Sequence, residues 1–317
     1  MCSYRTMKGN RLPLRSAKAS PFAGLLFLCF LWSLGSLRID LLPSLADRTL
    51  PPMEKQAIPF IWLAITASLF AIAKRTKWPQ GRQIFSAIFI GLGLFVAPAL
   101  LVSLSSHGIS EFTRVALFSL VPVFTVVLEP HISGTTGQQR RGALVAALLA
   151  VGGILCIFPA DVPNSIAAAI AFGAIVLAAA SIGVANCFAV KGATEIPITT
   201  MSAIASFTAL ASFAVLSPLL ESESWTLRGI VPELAWSAAV GLPALLLLFW
   251  LMHRMSAVGM TTRFVVAPLI TALFGVALFR PEVSLRDLLG FVLIAAGAGY
   301  LLFASDEEPD SPSLRLN

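Results

Sequence analysis

The sequence predicts an all-α integral membrane protein of ten transmembrane helices, arranged as two inverted five-helix repeats with both termini cytoplasmic. Three observations predict it. Hydrophobic residues make up 57% of the 317-residue chain and charged residues only 12%, about half the charged share of a soluble domain, with a mean hydropathy of +0.86. Apolar runs recur ten times, each near the roughly 20 residues that an α-helix needs to cross the hydrocarbon core. The second half of the chain also repeats prolines, glycines and loop charges of the first.

Residues 1–20 form a basic cytoplasmic N-terminal segment carrying Arg5, Lys8, Arg11, Arg15 and Lys18. A basic patch can serve nucleic acid. Ahead of an apolar run it acts as a topogenic signal instead, so no nucleic-acid partner is expected. The apolar runs are 21–37, 56–73, 84–104, 112–129, 142–159, 165–189, 197–219, 231–252, 259–279 and 287–304. A signal peptide would also begin this way, with Ser44, Leu45 and Ala46 as its cleavage site. The length of the first run and the spans that follow favour a retained helix. Strands of a membrane barrel would be shorter and alternating. Residues 305–317 are an acidic cytoplasmic tail with Asp306, Glu307, Glu308 and Asp310. With the N-terminus inside, cytoplasmic segments hold fourteen Lys and Arg and outer segments seven, which fits the positive-inside rule. Glu111 and Arg114 stand at helical spacing for a weak exposed pair.

Spans four and five match spans nine and ten. Pro122 and Pro268 occupy like positions, and Gly142 and Gly290 each open the next helix. Spans one and six pair so that Ser33 stands opposite Asn186 and Arg38 opposite Lys191. The repeats are therefore 21–161 and 162–304. Five is odd, so the second copy is inverted, the architecture of alternating-access carriers with a site between the copies.

The run APLITALFGVALFRPEVSLRDLLGFVLIAAG resembles the end of the EamA-like repeat of the drug/metabolite transporter superfamily. Glu282, eight residues before Gly290, matches that family's turn glutamate, and Trp32 stands where the family often has tryptophan. The ten-span count agrees, so the resemblance covers nearly the whole chain. It departs at Pro281, where the family usually has glycine. The first copy lacks a turn glutamate, because Glu129 follows Pro122 by only seven residues.

The resemblance implies a carrier, often an exporter, of small polar metabolites such as amino acids, in the bacterial inner membrane. It implies a central cavity lined by spans one to four and six to nine. Spans five and ten would be scaffold or homodimer contacts. Gly142, Ala146 and Ala150 on one helix, and Ala295 and Gly299 on the other, give small faces. Such faces serve a dimer or internal packing equally well.

Polar groups inside apolar spans are costly and mark pathways. Arg263 offers a donor fork for a substrate carboxylate or phosphate, or it snorkels to the interface. Glu129 could bind an ammonium group or carry a proton; beside Pro130 it also suits the first position of a loop. Asn186 could hold substrate or tie helices together. Trp32, Ser33 and Ser36 fall near one turn of span one, where Trp32 offers a stacking face or an interfacial anchor. Pro122 and Pro268 are candidate hinges that free carbonyls.

No enzyme signature is present. His107, His131 and His253 lie far apart without metal-ligand spacing, and no nucleophile elbow or Walker loop occurs. Cys29, Cys156 and Cys187 lie in apolar runs and Cys2 at the start, with no Cys-x-x-Cys pair. They read as small hydrophobes. No metal or cofactor is expected; the partners are a small-molecule solute and the lipid bilayer. The competing reading is a non-transporting membrane scaffold or lipid-handling subunit with the same fold. A polar cavity containing Asn186 and Arg263 separates the two, and almost no buried acid is expected within the spans.

Overall fold

The computed structural model describes residues 16–41, 50–105, 108–133, 140–221, 227–280 and 283–303. Among these the fold is all helical: α1 (Ser16–Leu41), α2 (Pro52–Ala73), α3 (Arg82–Leu104), α4 (Glu111–Ile132), α5 (Arg140–Ile157), α6 (Ile166–Ala193), α7 (Ile198–Leu220), α8 (Ile230–Met252), α9 (Ala257–Phe279) and α10 (Leu285–Phe303). Eight of these are long and apolar enough to cross a membrane by length and composition. The apolar stretches of α1, Pro21–Gly35, and of α5, Arg141–Ile157, are shorter. The basic N-terminal residues 1–15, the tail 304–317, Pro281, Glu282 and His107 lie outside the described residues.

Local chemistry sets where several helices begin and end. Serine hydroxyls cap α4, α6 and α9: Ser110 accepts from the Thr113 N–H, Ser165 from Ala168 and Ser256 from Gly259. Each satisfies a donor that the first turn leaves orphaned. At its far end α9 stops where Arg280 turns left-handed, at φ 47° and ψ 47°. The next residue in sequence, Pro281, disfavours the α region there.

Two helices carry a widened π turn, Leu92–Val96 in α3 and Ser237–Gly241 in α8. Each ends two residues before a proline, Pro98 and Pro243. Proline has no N–H for the carbonyl four residues back. The chain adjusts by reaching five back: Ala97 N–H donates to Leu92 O, and Leu242 N–H to Ser237 O.

The packing has a regular plan. The most extensive contacts join α5 to α10, α2 to α7 and α3 to α6, followed by α4 with α6, α3 with α7, α1 with α9, α2 with α8, and α1 with α8. Replacing each helix by the one five places along maps α1–α9 onto α6–α4, and α3–α6 onto α8–α1. The pairs α2–α7 and α5–α10 map onto themselves. Between α2, α3, α7 and α8, Phe60 meets Phe95 at 4.7 Å and Phe213 at 6.0 Å, and Phe95 meets Phe249 at 6.2 Å. Large apolar side chains such as Leu69, Phe70, Phe85 and Leu219 point outward, as a lipid-facing surface requires.

α5 and α10 approach closely because glycine lies between them. A methyl on Gly153 would stand 2.7 Å from the Gly290 carbonyl, and one on Gly290 would stand 2.8 Å from the Gly153 carbonyl. A methyl on Gly297 would strike the Ala146 carbonyl, and Gly142 lies beneath the Tyr300 hydroxyl. The small face of α5 is thus used for packing against α10, with Ala146 and Ala150 buried. Ala295 is exposed and Gly299 has open space beside it, so the second small face looks outward.

Both candidate hinges differ from expectation in position. Each proline lies twelve residues after its capping serine, Pro122 after Ser110 and Pro268 after Ser256. The helix breaks do not follow them. α4 breaks at Ser119 and Leu120, so Pro122 is the second residue of the segment Val121–Ser133. α9 breaks at Thr262, and Pro268 sits inside the continuous segment Arg263–Phe279. Early in a helix the missing N–H costs nothing, whereas Pro268 withholds an N–H from the Phe264 carbonyl.

Candidate functional site

The break at Thr262 aims Arg263 into the bundle. The residue is only 2% exposed, so its head does not snorkel to an interface. Nη1 donates to the Met260 carbonyl at 2.8 Å, and Nη2 donates to Asn186 Oδ1 at 3.0 Å. Asn186 is fixed in turn because its Nδ2 donates to the Ile182 carbonyl at 2.9 Å. That bond identifies the oxygen as the atom facing Arg263. The guanidinium carbon lies 4.7 Å from the Phe264 ring centre and 5.6 Å from the Trp32 ring centre. Such faces attract a cation. Nε is buried without a hydrogen-bond partner. Among the described residues no carboxylate pairs with Arg263, and the ionisable group beside it is the Cys29 thiol.

Three helices therefore supply the site. Trp32 comes from α1, Asn186 from α6, and Arg263 from α9. Ser33 joins α1 to α9 directly, its one O–H proton shared between the Cys29 carbonyl at 2.8 Å and the Ala267 carbonyl at 3.1 Å. Phe118 of α4 stacks on Phe264 with centres 6.5 Å apart and planes 20° apart. Phe118 and Phe264 are the eighth residues after Ser110 and Ser256. Their predecessors are Leu117 and Arg263, so the charge has no counterpart on the other side of this stack.

Three of the sequence candidates, Trp32, Asn186 and Arg263, thus come together, with Ser33 one contact away. The Ser36 and Arg38 side chains lie outside the described residues. Glu129 is half-buried and helical. The segment runs on through Pro130 to Ser133, which corrects the reading of Glu129 as the first loop residue. Lys191, placed opposite Arg38 in the repeat, donates to the Ile132 carbonyl at 3.1 Å and so closes the end of α4. The Glu111–Arg114 pair forms, at 2.6 Å with the glutamate exposed.

Sequence reasoning missed Phe264 and Phe118, and it missed buried acids. Glu54 is 1% exposed and Glu233 is 8% exposed. Helix α2 begins at Pro52, ahead of the apolar run, and so carries Glu54 inward. The Ser217 hydroxyl stands 3.3 Å from Glu54 Oε1 and 3.0 Å from Glu221 Oε2, and the Met53 N–H donates to Glu221 Oε1 at 2.6 Å. This carboxylate group ties α2 to α7 at one end of the bundle. A cavity of about 450 Å³ opens elsewhere, beside Gly108, Ser110, Asp161 and Asn164. Its Ser110 hydroxyl is engaged with Asp161 at 2.6 Å. Where the sequence suggests a cavity, Arg263 is enclosed by Trp32 and Phe264, both half-buried.

Fold and site define a multi-pass helical membrane protein with a buried, aromatic-flanked cation. No family model and no curated protein matches the chain. It is similar to a solved structure described only as "Crystal structure of protein", with a TM-score of 0.71 and 17% identity, over 90% of this chain and 99% of that one. At that identity the likeness is one of fold, and it spans nearly the whole of both chains.

Proposed function

We propose that the chain is a secondary carrier of small polar metabolites, an exporter in a bacterial inner membrane. On this reading it is an EamA-like member of the drug/metabolite transporter superfamily. Its ten spans form two inverted repeats, 21–161 and 162–304, with both termini cytoplasmic, and alternating access occurs between the copies. The mapping of helix contacts under a five-place shift supports the repeat, as do the paired π turns and the serine caps twelve residues before each proline.

The observation that carries the reading is Arg263. A lone buried charge costs several kcal/mol unless something compensates it. Arg263 lies 2% exposed without a carboxylate partner among the described residues, flanked by helices of both proposed repeats. Carbonyl oxygens and ring faces cushion this charge without neutralising it; an anionic group arriving with a solute would neutralise it. The closed centre favours one competitor, a non-transporting scaffold or lipid-handling subunit, which predicts no flux. Uptake and efflux in proteoliposomes, across a panel of carboxylates, amino acids, nucleobases and sugars, decides between them. At least one solute should move. Folded protein that moves none would leave the scaffold reading.

A further inference from the structure

We infer that the Arg263 site selects small monocarboxylates with a flat apolar body and discriminates against zwitterions and cations. This rests on the reading of Arg263 as the substrate site and narrows its substrate class. Three features point to it.

The first is charge balance. Arginine stays protonated in proteins, and the polar atoms touching this one, Met260 O and Asn186 Oδ1, are neutral. One negative charge compensates it. A second negative charge would be left uncompensated, and a zwitterion would bring its own ammonium towards the guanidinium.

The second is donor geometry. Two of the five guanidinium N–H donors are engaged through Nη1 and Nη2, while Nε is buried and unpartnered. Nε–H with a remaining Nη N–H forms the fork that suits the two oxygens of a carboxylate. The third is the surroundings. Trp32 and Phe264, with Phe118 stacked on Phe264, surround the guanidinium with aromatic carbon, which suits an aromatic or flat aliphatic body. They offer little to the hydroxyls of a sugar.

The test uses the full-length protein with benzoate as probe. Its neutral shape-mate benzamide, the cation benzylamine, the zwitterion phenylalanine and sodium chloride are the comparisons. Binding is read by calorimetry and by the shift in unfolding temperature. Benzoate should bind at least tenfold more tightly than benzamide, benzylamine and phenylalanine. Arg263→Gln should bring benzoate to the level of benzamide. Asn186→Asp provides a second variant, because it places a carboxylate about where Oδ1 stands, 3.0 Å from Nη2. Its built-in anion should abolish the benzoate preference.

Wild-type protein that binds benzamide or phenylalanine as tightly as benzoate overturns the inference. So does an equal shift from chloride at equal concentration, or an Asn186→Asp variant that keeps the preference. Failure of the broader reading looks different. Specific benzoate binding without flux of any solute overturns the carrier and leaves the anion site. Arg263-dependent flux of a zwitterion keeps the carrier and overturns the inference.

Discussion

Arg263 shows a residue kept at a cost to stability. Its charge is buried, its Nε has no partner, and two aromatic faces stand in for water. Replacing buried ionic groups with apolar residues of similar volume is often stabilising, by about 1–4 kcal/mol. The double variant Arg263→Met with Asn186→Leu, which leaves no side-chain partner stranded at that contact, should therefore raise the unfolding temperature, and Arg263→Met alone should abolish flux of anionic solutes. A double variant that unfolds earlier than wild type would mean that the charge serves the fold. Arg263, Asn186 and Trp32 were legible in the sequence because polar and aromatic heads stand out inside apolar runs. Phe118 and Phe264 were not. The chain has 22 phenylalanines, and nothing local marks the two that stack. Glu54 was missed for another reason. Its charge places it outside an apolar run, yet the proline start of α2 carries the helix past it.

At the scale of elements, hydropathy located the helices to within a few residues, because a span must be apolar over a fixed length. The breaks inside them were less readable. Pro122 announces the break in α4, since a proline is tolerated in a first turn. The break at Thr262 falls in Met260–Thr261–Thr262–Arg263, just after Gly259, where the Thr261 and Thr262 hydroxyls donate to the Val258 and Gly259 carbonyls, a local competition with the helix that no single residue announces. The pairing of α5 with α10 rests on glycine. A valine at Gly290 would press on Ile157 Cγ1, 2.7 Å from a Cβ, and on the Gly153 carbonyl. Overpacking of this kind costs about 1–3 kcal/mol. Gly290→Val should lower thermal stability by that amount, whereas Gly299→Ala, inside a helix and with nothing within 4 Å, should not lower it. Equal effects in unfolding measurements would mean that these helices do not meet at Gly290.

For the whole molecule, the proposed repeat rests on matched prolines and glycines in the sequence, and several helix contacts map onto one another under a five-place shift. What one sequence does not encode is which faces meet, because helices apolar on every side carry no directional pattern. The proposed topology makes a direct prediction. In intact cells, single cysteines at positions 163 and 283 should react with a membrane-impermeant thiol reagent. Cysteines at 76 and 195 should react only after permeabilisation. The opposite pattern would reverse the orientation. The central claim is alternating access through a site between the repeats, and counterflow tests it most directly. Proteoliposomes preloaded with an unlabelled solute that the protein moves should take up the labelled solute faster than empty ones, and Arg263→Met should abolish the acceleration. Uptake that is indifferent to preloading, or acceleration that survives the substitution, would contradict the account.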